Sequence, residues 1–346
     1  MRKFIFPLLM IAVGFVALAQ SRGADMGVNL LMPTENRNLL TGDLDAFYQE
    51  TEMHRCYGGH YGFVRSSEDG PHPSLYNLFH EGIDIRPIHR DAQGEPLDLV
   101  HAAAAGEVVY ANDAPAKSNY GRYIMIRHDL PEGTAYTTYG HLARLMVEEG
   151  RKVNAGDVIG RMGWTGNVGA RERAHLHFEF GFRILPDYSE WYNRLGRPLG
   201  ERGPNLHGEY NGLNYIGVDP VPILIASAAG KPMTLRGIIN SLKPILRVRV
   251  PAGKDFFCWQ KNLPWTVEGG LQKPMPVSWE IDCDAVGIPV HFKPSSVPVE
   301  KPVLIWFDNK LSRQEAVTRG LVGNGKNGPV LSSHGQKWFS QLTYIR

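Results

Sequence analysis

The sequence predicts an all-β protein: a compact antiparallel β-sandwich or partly open barrel, followed by a second β-rich unit. Three observations predict it. The stretch Ala174-His175-Leu176-His177-Phe178-Glu179-Phe180 alternates strictly, with Leu176, Phe178 and Phe180 on one face and His175, His177 and Glu179 on the other, the period-two pattern of a half-buried strand. Upstream, residues 105–110, 121–128, 135–141 and 157–160 are short β-branched or aromatic runs between Gly, Pro and Asn turns, as in antiparallel sheets. Downstream, 245–250, 277–281 and 302–307 repeat that texture after a stretch, 225–232, that reads as a linker or domain edge.

Taken in order, residues 1–19 place Arg2 and Lys3 before an apolar run from Phe4 to Leu18 and end on the small residues Ala17 and Ala19. This is the layout of a secretory signal peptide, and the run is short for a membrane span, so the expectation is an exported protein with no stable membrane insertion after cleavage. Residues 20–75 read as an arm that packs on a domain, with Thr41-Gly42-Asp43-Leu44-Asp45 capping a short helix that ends near Met53. The main domain spans 76–230 and carries an aromatic insertion at 181–217, in which Asp187 caps a helix running through Trp191 to Leu195. Residues 231–346 form the C-terminal β-rich unit, which holds no chemical motif.

The whole chain of 346 residues has 37 basic and 35 acidic residues; without its first 19 residues it carries 35 of each. Near-neutrality argues against a nucleic-acid partner, which selects a basic excess. Three cysteines are present, and an exported chain permits Cys258 and Cys283 to pair, a bridge worth about 3 kcal/mol. Cys56 is then left as a buried thiol.

The chemistry gathers in two stretches. Neutral imidazole is a common zinc ligand, and the strand at 174–180 would hold His175, His177 and Glu179 toward its open side. In Phe79-His80-Glu81-Gly82-Ile83-Asp84-Ile85, His80 and Asp84 stand four apart and share a face of an extended segment. With His177 they make three protein ligands, the open set of a catalytic zinc, whereas a structural site uses four; no Cys-x-x-Cys is present. Glu179 is expected to support the ligands, Glu81 to be solvated, and His89, His101 and His128 to be surface or supporting groups.

Five motifs in this order resemble the lysostaphin-like (LytM-type) zinc endopeptidases that cut the peptide cross-links of bacterial peptidoglycan. They are His-x-Gly-x-Asp at 80–84, Ala-Ala-x-Gly-x-Val at 103–108, Tyr139-Gly140-His141-Leu142, Val153-x-x-Gly156-x-x-Ile159-Gly160, and His175-Leu176-His177-Phe178-Glu179. The resemblance covers under a third of the chain. It implies one Zn2+ held by His80, Asp84 and His177, with His141 and His175 assisting the activated water: His175 as general base, His141 as donor to the oxyanion, the division between them left open. It implies peptidoglycan peptides as substrate and the periplasm or cell envelope as location. A loop at 90–95 and the insertion depart from the family and are expected to border the groove. The alternative is a non-hydrolytic wall-binding scaffold or activator of another wall hydrolase. An Asn or His of the arm is expected to reach the fourth position of the metal and keep the enzyme latent.

Overall fold

The computed structural model describes residues 27–49, 59–62, 79–195, 203–308, 310 and 319–345. The signal-peptide stretch, His54, Cys56 and His72 lie outside the described residues. The arm carries two one-turn helices, α1 (Asn38–Thr41) and α2 (Leu44–Phe47). Next come β1 (Ile83–Ile85), β2 (Leu99–His101), β3 (Gly106–Asn112), β4 (Arg122–Leu130), β5 (Gly133–Leu142), β6 (Arg144–Leu145), β7 (Lys152–Val153), β8 (Val158–Arg161) and β9 (Leu176–Arg183). The insertion supplies α3 (Tyr188–Leu195) and β10 (Tyr215–Val218), and α4 (Pro220–Ala228) and α5 (Leu235–Ser241) lead onward. The C-terminal part holds β11 (Leu246–Pro251), α6 (Cys258–Asn262), β12 (Ser278–Cys283), β13 (Pro289–Ser295), β14 (Val303–Phe307), β15 (Val322–Gly325), β16 (Gly328–Leu331) and α7 (Ser333–Leu342).

The main sheet has the antiparallel order β1-β9-β5-β4-β3-β7, and β10 continues the line of β1 along the same edge of β9. A smaller sheet, β2-β8-β6, faces it, and β13-β12-β11-β14 forms the sheet of the C-terminal part. The expected strands are present because their alternation buries one continuous face. Ile124, Ile126, Tyr139, Phe178 and Phe180 are all wholly buried. At about 25 cal/mol per Å2, each such side chain contributes roughly 1.5–3 kcal/mol.

The all-β expectation is overturned: the fold is mixed α/β, with seven α-helices among the described residues. The first half of the stretch read as a linker, 225–228, is the last turn of α4. Asp219 caps it by accepting from the Val221 amide, and Pro220 occupies the first turn, where its missing N–H costs nothing. Ile223 and Leu224 of α4, Ile238 and Ile239 of α5, and Trp338 and Phe339 of α7 are buried, so these helices cover apolar surface that sheets alone would leave wet. In the insertion, the helix expected through Trp191 is α3, with Trp191 buried.

The arm packs along the domain. Leu31 N donates to Ala103 O, Arg86 N to Phe47 O, and Gln49 N to Asp84 O, so the arm lines the free edge of β1. Asp43 caps α2, which ends at Phe47, short of the expected end near Met53. Cys258 and Cys283 do not pair: both thiols are free, one at the start of α6 and the other buried at the end of β12. No helix among the described residues is long and apolar enough to cross a membrane.

Two polar residues also differ from expectation. His128 is buried and bridges strands, donating from Nδ1 to Ala105 O at 2.8 Å and accepting at Nε2 from the Thr137 hydroxyl at 2.8 Å. Glu81 is not solvated: it pairs with Arg319, whose guanidinium lies over the Phe79 and Trp338 rings at 5.6 and 5.1 Å. Burial pushes the Glu81 carboxyl up to about 7, and Arg319 opposes that rise. Breaking such a buried pair from one side strands a charge, while removing both partners does not. Arg319→Met is therefore expected to lower unfolding free energy by about 3 kcal/mol, and Glu81→Gln in the same chain to restore most of it. Urea unfolding of both variants checks this; losses that simply add would refute it.

Candidate metal centre

The pairing of β1 with β9 builds the site. Asp84 stands directly opposite His177 in that antiparallel register, so their side chains leave the sheet on one face. On the other side of β9, Gly140 of β5 is the partner of His177, which brings His141 alongside. Ile83, Ile85, Leu176 and Phe178, wholly buried on the opposite face, lock the register. The glycine of His-x-Gly-x-Asp has a steric reason: a Cβ on Gly82 would collide with the Phe178 carbonyl and with Glu179 Cγ.

His80 Nε2, Asp84 Oδ1 and His177 Nδ1 form a nearly equilateral triangle, with edges of 3.0, 3.1 and 2.9 Å. Donors about 2.0–2.1 Å from a tetrahedral zinc stand about 3.3 Å apart, so the triangle has the size of a metal face. The outward ring nitrogens are anchored too. His80 Nδ1 donates to the His60 carbonyl at 2.7 Å, and His177 Nε2 donates to Glu179 Oε1 at 2.8 Å. Tyr120 donates its hydroxyl to the same carboxylate at 2.6 Å. These contacts leave the inward nitrogens as lone pairs for a cation. His80, Asp84 and His177 can therefore hold a metal ion.

Electrostatics agree with that reading. Burial acts to raise the Asp84 pKa, yet His175 and His80 nearby and hydrogen bonds from His177 and His80 hold it well below the usual carboxylate range. Burial disfavours charge on His177, but hydrogen bonds to Asp84 and Glu179 outweigh it and bring the pKa up to about 10. The carboxylates thus favour positive charge in the triangle, and a cation competes there with a proton.

His141 and His175 meet on the cleft side, ring centroids 4.8 Å apart. Each gives its Nδ1 proton to a backbone carbonyl, His141 to Thr165 at 2.9 Å and His175 to Arg173 at 2.7 Å, which leaves both Nε2 atoms as acceptors. His175 Nε2 lies 3.4 Å from Asp84 Oδ1. Burial lowers both pKa values; for His141 the neighbouring His175 and His177 add to the fall, while Asp84 supports the charged form of His175. His141 alone among the described non-glycine residues has a positive φ, 61°, a strained conformation of the kind found where a side chain must be aimed.

All five sequence-predicted residues line one cavity of about 150 Å3, with Asn119, Tyr120, Asn167 and Arg173 among its other walls. His175 and His177 face this cavity although little exposed, and Glu179 is buried against His177 and Tyr120. The arm reaches the centre through the His60 carbonyl, and the His60 ring stacks on Tyr48 at 3.7 Å; among the described residues no arm side chain lines the cavity. Tyr120, Arg173 and the His60 carbonyl were not foreseen. Only Arg173 had a visible cue, the charged run Arg171-Glu172-Arg173 directly before the strand.

Residues 78–185 match the family described as Peptidase family M23. This matched segment, under a third of the chain, holds His80, Asp84, His141, His175 and His177. The chain is 39% identical over 89 residues to the lipoprotein NlpD/LppB homolog of Pseudomonas aeruginosa, covering 26% of this chain and 27% of that protein. It is 40% identical over 77 residues to the peptidoglycan DD-endopeptidase ShyC of Vibrio cholerae, covering 22% and 16%. A solved zinc-containing peptidase from Vibrio cholerae is 26% identical, with 39% of this chain and 36% of that chain covered and a TM-score of 0.27. The chain spans about a quarter or less of the length of these curated relatives.

The M23 segment makes one role of Glu179 testable. Carboxylates that hold metal-bound histidines typically contribute 10–100-fold to affinity, so Glu179→Gln should weaken zinc binding by about that factor with the fold intact. Competition against a chelating dye measures it. Unchanged affinity would remove Glu179 from the metal centre.

Proposed function

We propose that this protein is an exported zinc-dependent endopeptidase that hydrolyses the peptide cross-links of bacterial peptidoglycan. The carrying observation is the three-donor triangle of His80, Asp84 and His177 facing a cleft with two imidazoles whose Nε2 atoms are free to accept. The likeness to ShyC, named a peptidoglycan DD-endopeptidase, supports the substrate class. The signal-like residues 1–19 and likeness to proteins named outer membrane antigenic lipoprotein B support a cell-envelope location.

His80, Asp84 and His177 would hold the zinc ion, which when bound would supply polarisation of the scissile carbonyl and acidification of water. The protein supplies the rest. His175 is the general base: its Nε2 is a lone pair at neutral pH, and Asp84 at 3.4 Å stabilises the imidazolium that forms when it takes the water proton. His175 then passes that proton to the departing amine nitrogen as the amide bond breaks. His141 in its neutral form accepts at Nε2, so it orients the attacking water; it becomes a donor to the oxyanion only when protonated.

Metal analysis of the purified protein should return one zinc per chain, lost or sharply reduced in His80→Ala and Asp84→Ala. His175→Ala should keep its zinc and lose about 10²–10⁴-fold in kcat on cross-linked wall peptides. Hydrolysis that survives removal of both His141 and His175 would sink the assignment.

A further inference from the structure

We propose that Arg173 is a specificity-determining residue that binds a carboxylate carried by the substrate beside the scissile bond, so that the enzyme selects peptides with an acidic group at that position. This rests on the peptidase reading above. Arg173 lines the cavity together with His141, His175 and His177. Its main chain is already engaged, since its carbonyl accepts from His175 Nδ1 at 2.7 Å. Its side chain is not: among the described residues Nε has no hydrogen-bond partner.

Arg171 Nε likewise has no well-aligned hydrogen-bond partner among the described residues, but both neighbouring arginines make other contacts. Arg171 pairs with Glu95 at 2.7 Å and donates to Gln93 O at 2.5 Å. Arg90 donates to Gly94 O at 2.7 Å, to Arg171 O at 3.0 Å and to Glu172 O at 3.2 Å. The loop at 90–95 thus clamps the one-turn helix 171–173 from outside, committing the guanidinium groups of Arg90 and Arg171 to that task. Arg173 is held at the cleft wall with its Nε donor in reserve.

A guanidinium at the wall of a cavity gains when a ligand there supplies an acceptor. The planar fork of Arg matches a carboxylate in two parallel bonds. Among the described residues, Asp84 on the cavity wall is committed to the ligand triangle and Glu179 to His177 and Tyr120. A substrate carboxylate can supply the acceptor. A space of about 150 Å3 admits a group the size of one side chain, which puts the carboxylate on a residue flanking the scissile amide.

The test uses the full chain loaded with zinc and two probes. One is a cross-linked wall peptide with a free carboxyl group on the residue flanking the scissile amide; the other is the same peptide with that group as a carboxamide. Wild type should favour the carboxylate by about 10- to 100-fold in kcat/KM, mostly through KM, and in Arg173→Gln that ratio should fall to within about twofold of one. Arg173→Lys should regain part of it. Titration calorimetry then gives dissociation constants for both probes in zinc-loaded His175→Ala protein, with Arg173 kept and with Arg173→Gln added. The binding ratio should be the same as the kinetic one, without turnover. A wild-type ratio near one, or a ratio that Arg173→Gln leaves unchanged, overturns the proposal. If neither probe is hydrolysed, the peptidase reading fails, and the binding ratio still decides the role of Arg173.

Discussion

Everything at the metal centre depends on the register in which three-residue β1 meets β9. With Asp84 opposite His177, two donors sit on one face of the sheet, and His80, four residues back, folds in to complete the triangle. A slip of one residue would turn Asp84 into the core and Ile83 or Ile85 toward the cleft. The strand is too short for its own hydrogen bonds to set that register. Burial sets it, through four apolar side chains that have nowhere else to go and a glycine that lets the chain approach the Phe178 carbonyl.

The register alone would place the ligands without aiming them. Aim comes from a layer of contacts drawn from distant parts of the chain: the His60 carbonyl from the arm, Glu179 from β9, Tyr120 from the turn before β4, Thr165 and Arg173 from the turns before β9. Each contact fixes which ring nitrogen carries a proton, and so which one faces the cleft. A buried polar network of this kind favours a single arrangement because every unsatisfied member would be expensive. The C-terminal part joins it from behind, where Arg319 neutralises Glu81 next to His80 in the chain. The arm and the C-terminal part are therefore tied to the centre through chemistry as well as through the shared core.

The two departures from the family pattern bear on the cleft in different ways. Loop 90–95 fastens the turn from which Arg173 enters the cleft. The insertion instead adds β10 to the edge of β9, and its closing glycine, Gly217, packs against the Glu81 backbone, so it buttresses the ligand segment. Substitution of surface loops can thus alter selectivity while the ligand triangle stays as it is.

Sequence by itself determined the strands and the five residues that meet in the cavity. Period-two alternation survives folding because it states which side of a pleat is dry, and His80, Asp84, His141, His175 and His177 stand in motifs short enough to be read along the chain. The helices were harder to read: Asp219-Pro220 and Ser332 are start signals whose neighbours look like turn residues, and only the apolar surface they cover explains α4 and α7. Long-range polar pairing could not be read at all. The burial of Glu81, the bridging role of His128 and the unpartnered Nε of Arg173 depend on partners, or on their lack, tens to hundreds of residues away. Tertiary structure decided these because the cost of burying a charge is set by what the fold brings beside it, and no local pattern records that.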